Sequence, residues 1–159
     1  MQNQVDVPTT MPSLATPSYD EDFYAWTQHQ AAKLRTVVCD ELDLLNLAEE
    51  IESLGKRDWK ELRSRLNVLV MHLLKYQHQP DHRSDSWSST IRTQRDEIST
   101  LLEQSPSLRR QVPILLTERY KTPRYNAADE TGLPIGTFPE VCPWTAEQVL
   151  DEDFWPDMG

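Results

Sequence analysis

The sequence predicts an all-α fold, a bundle of four to five helices closed by a docked, irregular C-terminal tail. Three observations predict it. Apolar residues recur every three or four positions through almost every long segment, no segment alternates at period two, and acidic or hydroxyl residues stand where helices would start. Two rows carry most weight. Trp59, Leu62, Leu66, Leu69, Leu73 and Tyr76 form a regular seam broadened by Val70 and Leu74, and Trp87, Ile91, Gln94, Ile98 and Leu101 form another widened by Leu102. Such rows give each helix one dry side, and two in succession make a hairpin.

The elements follow in chain order. A first helix opens at Tyr19-Asp20, with Asp20 as N-cap, Glu21 and Asp22 in the first turn, and Tyr19 spaced to staple onto Tyr24. Phe23, Thr27, Gln30, Leu34 and Val37 mark its stripe, with Trp26 beside it, to about Val38. Asp40 caps a second helix, Cys39 and Leu44 have staple spacing, and Leu44, Leu47, Ile51 and Leu54 form the stripe. At Gly55 the phase shifts, because the next apolar residue is Trp59 and not position 58, so Gly55 reads as a C-cap or a bend.

The Trp59 seam ends at Pro80, and "PDHRSDS" is a connecting turn. Gln94 interrupts the Trp87 seam as a candidate buried hydrogen-bonding group. Ser105 caps the next helix with Pro106 at its first position. Leu108, Val112, Leu115, Leu116, Arg119 and Tyr120 continue the spacing, while Pro113 and Pro123 predict kinks or a split. In the proline-rich tail, Thr145 caps a short helix over Ala146–Leu150. Residues 1–18 read as a disordered leader, and 19–159 as one helical domain with a C-terminal extension from about 132.

Composition narrows the class. At 159 residues, 38% hydrophobic and 26% charged, the chain suits one soluble domain with a real core. No apolar run approaches the roughly 18 residues of a spanning helix, the N-terminus lacks the basic and apolar parts of a secretory signal, and two cysteines make no disulfide framework. A cytoplasmic location is the expectation. The net charge of −10 is uneven: −8 over residues 1–55, +5 over 56–95 and −7 over 96–159. A basic block between acidic flanks binds an anion or pairs with those flanks, and pairing is the commoner outcome. The acidic balance (pI about 4.8) argues against nucleic acid as a partner.

In order along the chain stand "YDEDFYAW", "NLAEEIESLGK", "VLVMHLLKYQHQP", "SWSSTIRTQRDEI", "SPSL", "ETGLPIGTFPEVCPW" and "LDEDFWP". Together these stretches resemble the bacterial family known as domain of unknown function 29, over about Tyr19 to Pro156. The resemblance implies an α-helical fold and, since the family's role is not established, brings no catalytic residues. Pro113 and Pro123 depart from the continuous helix expected there.

Candidate chemistry concentrates in residues 57 to 95. Glu49 and Glu52 share one side of a helix, and with His72 facing them from the next helix and Arg83 or Arg92 holding an anion they would make a hydrolytic or metal-dependent site. His72, His78 and His82 are the metal candidates. Their spacing and Pro80 keep them from one helix face, and no Glu-x-x-His or His-Glu-x-x-His motif occurs, so no metal and no cofactor is expected. Arg92 and Arg95 share a face and are the binding candidates, expected to reach the acidic second helix near Glu49 and Glu52 as an ion-pair network. Trp59 and Trp87 read as core, and Trp26, Trp144 and Trp155 as pins for the terminal segments.

The leading expectation is a small helical interaction or regulatory protein that meets a protein partner or its own copy, with a toxin–antitoxin-type partnership fitting its size. The alternative is an enzyme built on the Glu/His/Arg cluster.

Overall fold

The computed structural model describes residues 15–156, and among them every regular element is helical. Residues 1–14 of the expected leader lie outside the described residues; residues 15–18 adopt no helix.

Helix α1 (Phe23–Leu34) begins with its stripe, later than the Asp20 cap suggests, and ends sooner than the stripe does. Its N-cap is Asp22, not Asp20: the Asp22 carboxylate accepts the Ala25 N–H at 2.9 Å, and the same group accepts the Ser107 N–H at 2.7 Å and hydroxyl at 2.9 Å. A contact 85 residues away thus selects one of three adjacent acids. At the other end, the Thr36 and Val37 N–H groups both turn back onto the Lys33 carbonyl, at 3.0 and 3.2 Å, in a β-branched run that favours leaving the helix. Tyr19 packs edge-on against Phe23 and Trp26.

Helix α2 (Leu44–His78) has 35 residues and is about 52 Å long at 1.5 Å per residue. Its cap is Asp43, accepting the Asn46 N–H at 3.3 Å, not Asp40. The bend expected at Gly55 does not occur. Gly55 is buried inside the unbroken helix, and a side chain there would overlap the Thr27 hydroxyl of α1. The shift of phase marks a change of neighbour: around Gly55 the partner is Thr27, and from Leu62 onward the buried side chains join the main core.

Pro80 stops α2, and a short 3-10 turn (Pro80–His82) leads to α3 (Asp85–Gln104), capped by Ser84. The Ser105-Pro106 start opens a 3-10 turn (Pro106–Arg110) rather than an α-helix. The proline-containing segment then splits into α4 (Gln111–Glu118) and α5 (Lys121–Thr131). Pro113 and Pro123 each fall in a first turn, where a missing N–H leaves no gap in the ladder. Gly132, at φ 70°, ends α5 in the left-handed region. Helix α6 (Ala146–Leu150) has the expected bounds, with a capping box in which Thr145 and Gln148 satisfy each other's backbone N–H groups.

Both seams form the core, where Leu62, Leu69, Leu73, Leu74, Ile91 and Ile98 are fully buried beside Phe138 and Val149 of the tail. Lys75 is a buried cation beside this packing, bonded to Glu130 of α5 at 2.5 Å and lying 4.6 Å from the Trp87 ring centre. No described helix is long and apolar enough to cross a membrane.

Candidate functional site

The Glu/His/Arg cluster is not assembled. Because α2 runs unbroken through Gly55, Glu52 and His72 lie 20 residues apart on one helix, about 30 Å along its axis. Glu49 and Glu52 both accept from Arg35 at 3.1 Å, and Glu52 also from Lys56 at 3.1 Å. The hydrogen bonds from Lys56 and then Arg35 hold the Glu52 carboxyl below its ordinary range; those to Glu49 and Glu52 raise Arg35. This exposed network ties the end of α1 to α2.

The histidines go separate ways. The Nδ1–H of His72 donates to the Val68 carbonyl at 2.9 Å, and burial lowers its pKa. His78 meets Phe138 edge-on at 5.1 Å; burial lowers its pKa too, and its Nε2 is buried without a partner. His82 is exposed on the 3-10 turn. Among the described residues, no three His, Cys, Asp or Glu side chains are placed to share a metal ion.

The arginines work on the tail and the turn. Arg83 lies over the Tyr76 ring at 4.1 Å and donates to the Tyr76 carbonyl, closing the α2–α3 connection. Arg92 and Arg95 point away from Glu49 and Glu52, against expectation. Both guanidiniums approach the Trp155 ring, at 5.4 and 5.8 Å. Arg95 is only 2% exposed. Its Nε donates to the Val149 carbonyl at 2.9 Å and one terminal nitrogen to the Glu152 carbonyl at 3.4 Å. These carbonyls stand at and beyond the C-terminal end of α6, where backbone acceptors lack helical donors. Burial lowers the Arg95 pKa, against the pull of Asp151 and Glu152. Gln94, the polar residue expected inside, is only half-buried. Trp144 is buried and Trp155 packs against Tyr76 at 5.1 Å, so both pin the tail.

The α1–α2 corner exposes apolar side chains. Val37, Val38, Leu42, Leu45 and Leu47 all face solvent, Val38 at 91% and Leu45 at 69%. Leu45 and Leu47, two positions apart, lie about 160° apart around α2, so apolar surface wraps the corner instead of forming one stripe. Residues 36–55 hold six carboxylates (Asp40, Glu41, Asp43, Glu49, Glu50, Glu52) and no Lys, Arg or His. Leu47 belongs to the stripe expected to face inward, yet it is exposed. Surplus apolar residues, Val37-Val38 and Leu44-Leu45, are the signal for this corner, since one narrow stripe needs fewer.

The family described as domain of unknown function DUF29 matches residues 18–155. No curated protein matches the chain. A solved structure, an alpha-helical protein of unknown function from Rhodospirillum rubrum, is similar at 24% identity and a TM-score of 0.67, over 87% of this chain and 92% of that one. At that identity the likeness concerns the fold.

Proposed function

The chain belongs to the DUF29 family, a domain of unknown function, and from that premise we propose that it is an interaction protein whose α1–α2 corner docks into a partner protein. The exposed apolar corner carries the reading: five large apolar side chains in water at one turn mark a surface that gains by being covered. The occupant is a partner with an apolar cleft rimmed by Lys and Arg. A cleft is needed because Leu45 and Leu47 lie on opposite flanks, and a basic rim because Asp40, Glu41, Asp43 and Glu50 make no ion pair among the described residues, whereas Glu49 and Glu52 are already held by Arg35 and Lys56. A second copy would set those carboxylates against each other.

The test isolates co-purifying proteins from the native host, then titrates the purified candidate against wild type, Val38→Asp and Leu45→Asp, with light scattering of each variant alone. A basic partner that both substitutions release, and that salt weakens, supports the reading. A partner that binds both variants as well as wild type removes it, as does a wild-type dimer that the substitutions split into monomers.

A further inference from the structure

Further along α2, away from the corner, one row of side chains changes character. Lys56, Lys60, Arg63, Asn67 and Val70 follow one another at spacings of four, three, four and three, so they share one face of the helix. The row is about 21 Å long at 1.5 Å per residue. Lys60 and Arg63 are exposed, Asn67 is half-buried and Val70 is buried. Where the row goes under, a cavity of about 290 Å³ stands between α2, α4 and α5, open on one side. Arg63, Asn67 and Val70 all line it, and Leu115, Leu116 and Pro123 bring apolar walls from the other two helices.

The fold leaves the cations of this surface unpaired. Arg57, Lys60 and Arg63 make no ion pair among the described residues. Arg63 lies 5.3 Å from the Trp59 ring centre, and its forked donors have no carboxylate to meet. Acids are not scarce, since the chain has 26 Asp and Glu against 16 Lys and Arg. They are held elsewhere: Glu52 takes Lys56, while Glu61 and Glu97 both go to Arg65, two positions beyond Arg63 and so on the opposite side of α2. The lining of the cavity includes no carboxylate among the described residues.

We propose that this row and the cavity at its end bind an acidic segment of a second partner protein, anchored by one large apolar side chain. The anchor enters the cavity against Val70, Leu115 and Leu116. Carboxylates within a few residues of it reach Arg63 and Lys60, with Arg57 on the flank. The volume falls just under the range of whole small-molecule sites, which suits a side chain better than a free ligand. Charge decides the rest, because unpaired cations beside apolar walls complement an acidic peptide with an apolar anchor. Nucleic acid shares the negative charge, but the net −10 of the chain repels a long polyanion.

The experiment follows amide chemical shifts of the full chain during titration with a synthetic acetyl-Glu-Asp-Glu-Leu-Leu-Glu-Asp-Glu peptide. Three controls are the same peptide with Gln and Asn for its acids, the same peptide with Ala for Leu, and a uridine dodecamer. The expected result is saturable shifts confined to α2 from Lys56 to Val70, α4 and α5 with the acidic peptide. Both substituted peptides bind at least tenfold more weakly, and the dodecamer binds more weakly than the acidic peptide. Lys60→Glu and Arg63→Glu each lose at least fivefold in affinity with an unchanged melt, while Leu45→Asp, which disables the corner, binds as wild type does. The proposal falls if the acidic peptide shifts none of these helices, if either substituted peptide binds as well, or if the dodecamer binds more tightly. It falls equally if Lys60→Glu and Arg63→Glu bind like the wild type, or if Leu45→Asp abolishes binding, which would move the peptide to the corner.

Discussion

Thr27 and Gly55 meet so closely that a side-chain carbon on the glycine would take the space of the threonine hydroxyl. The hydroxyl is not free to swing away, since it donates to the Tyr24 carbonyl at 2.7 Å in a fully buried position. The closeness of α1 and α2 is thus set by two small residues, with Ala31 and Ala48 also buried.

Gly55→Ala is therefore expected to destabilise the protein by about 1–3 kcal/mol through overpacking, although alanine is the better helix former by about 1 kcal/mol. Adding Thr27→Ala removes the clash and should recover most of the loss. Urea unfolding of the two single variants and the double variant measures this coupling. Additive losses would mean that the two residues do not oppose each other.

Arg95→Ala should cost about 2–4 kcal/mol, because it leaves the Val149 carbonyl without its donor and opens a hole beneath the tail. The damage should be local first. Hydrogen exchange of residues 144–155 is expected to rise well before that of α2 and α3. Uniform acceleration across the chain would assign Arg95 to the core at large instead of to the tail.

Acid should weaken the fold through two histidines. Burial lowers the pKa of both His72 and His78 below the ordinary 6.5, so the unfolded chain takes up protons more readily. Their contribution is complete above about pH 6.5 and is lost as pH falls through that value towards the lower folded ones. Asp58 acts in the opposite sense: burial raises its carboxyl, so its contribution is full at low pH and fades as pH rises through its folded value. Comparing wild type with His72→Gln/His78→Gln cancels the Asp58 part, and the variant is expected to show a flatter urea midpoint between pH 7 and 5. Parallel curves would assign the acid sensitivity elsewhere.

Tyr120→Phe removes a buried hydroxyl that has no partner and should raise stability by about 1 kcal/mol, the cost of an unmade hydrogen bond. Thermal melts at neutral pH decide it.

Much of the architecture is legible in the residues, because burial follows a period that can be counted. The Trp59 and Trp87 seams, the stop at Pro80, the split near Pro113 and Pro123 and the Thr145 cap all rest on local rules. What is not legible depends on partners distant in the chain. Asp22 wins the cap because Ser107 waits for it, and Gly55 continues a helix because Thr27 needs the room. Arg95 shows the point best. It falls in step with Ile91, Ile98 and Leu102, so its position on the buried face can be counted, yet charge argues against burial until the carbonyls of Val149 and Glu152 are known to be there. The interhelical Glu/His cluster fails for a related reason: it needs α2 to turn at Gly55. The exposed corner is a relation among surfaces, which spacing alone does not report.

The buried guanidinium of Arg95 also sets an order of events. During synthesis the ribosome releases Arg95 more than fifty residues before Val149 and Glu152 emerge. Over that interval the arginine must stay in water, so the nascent bundle remains ajar on that side. Closure comes with the last residues of the fold, and a chain arrested before them would leave a charged cleft that a quality-control protease could recognise.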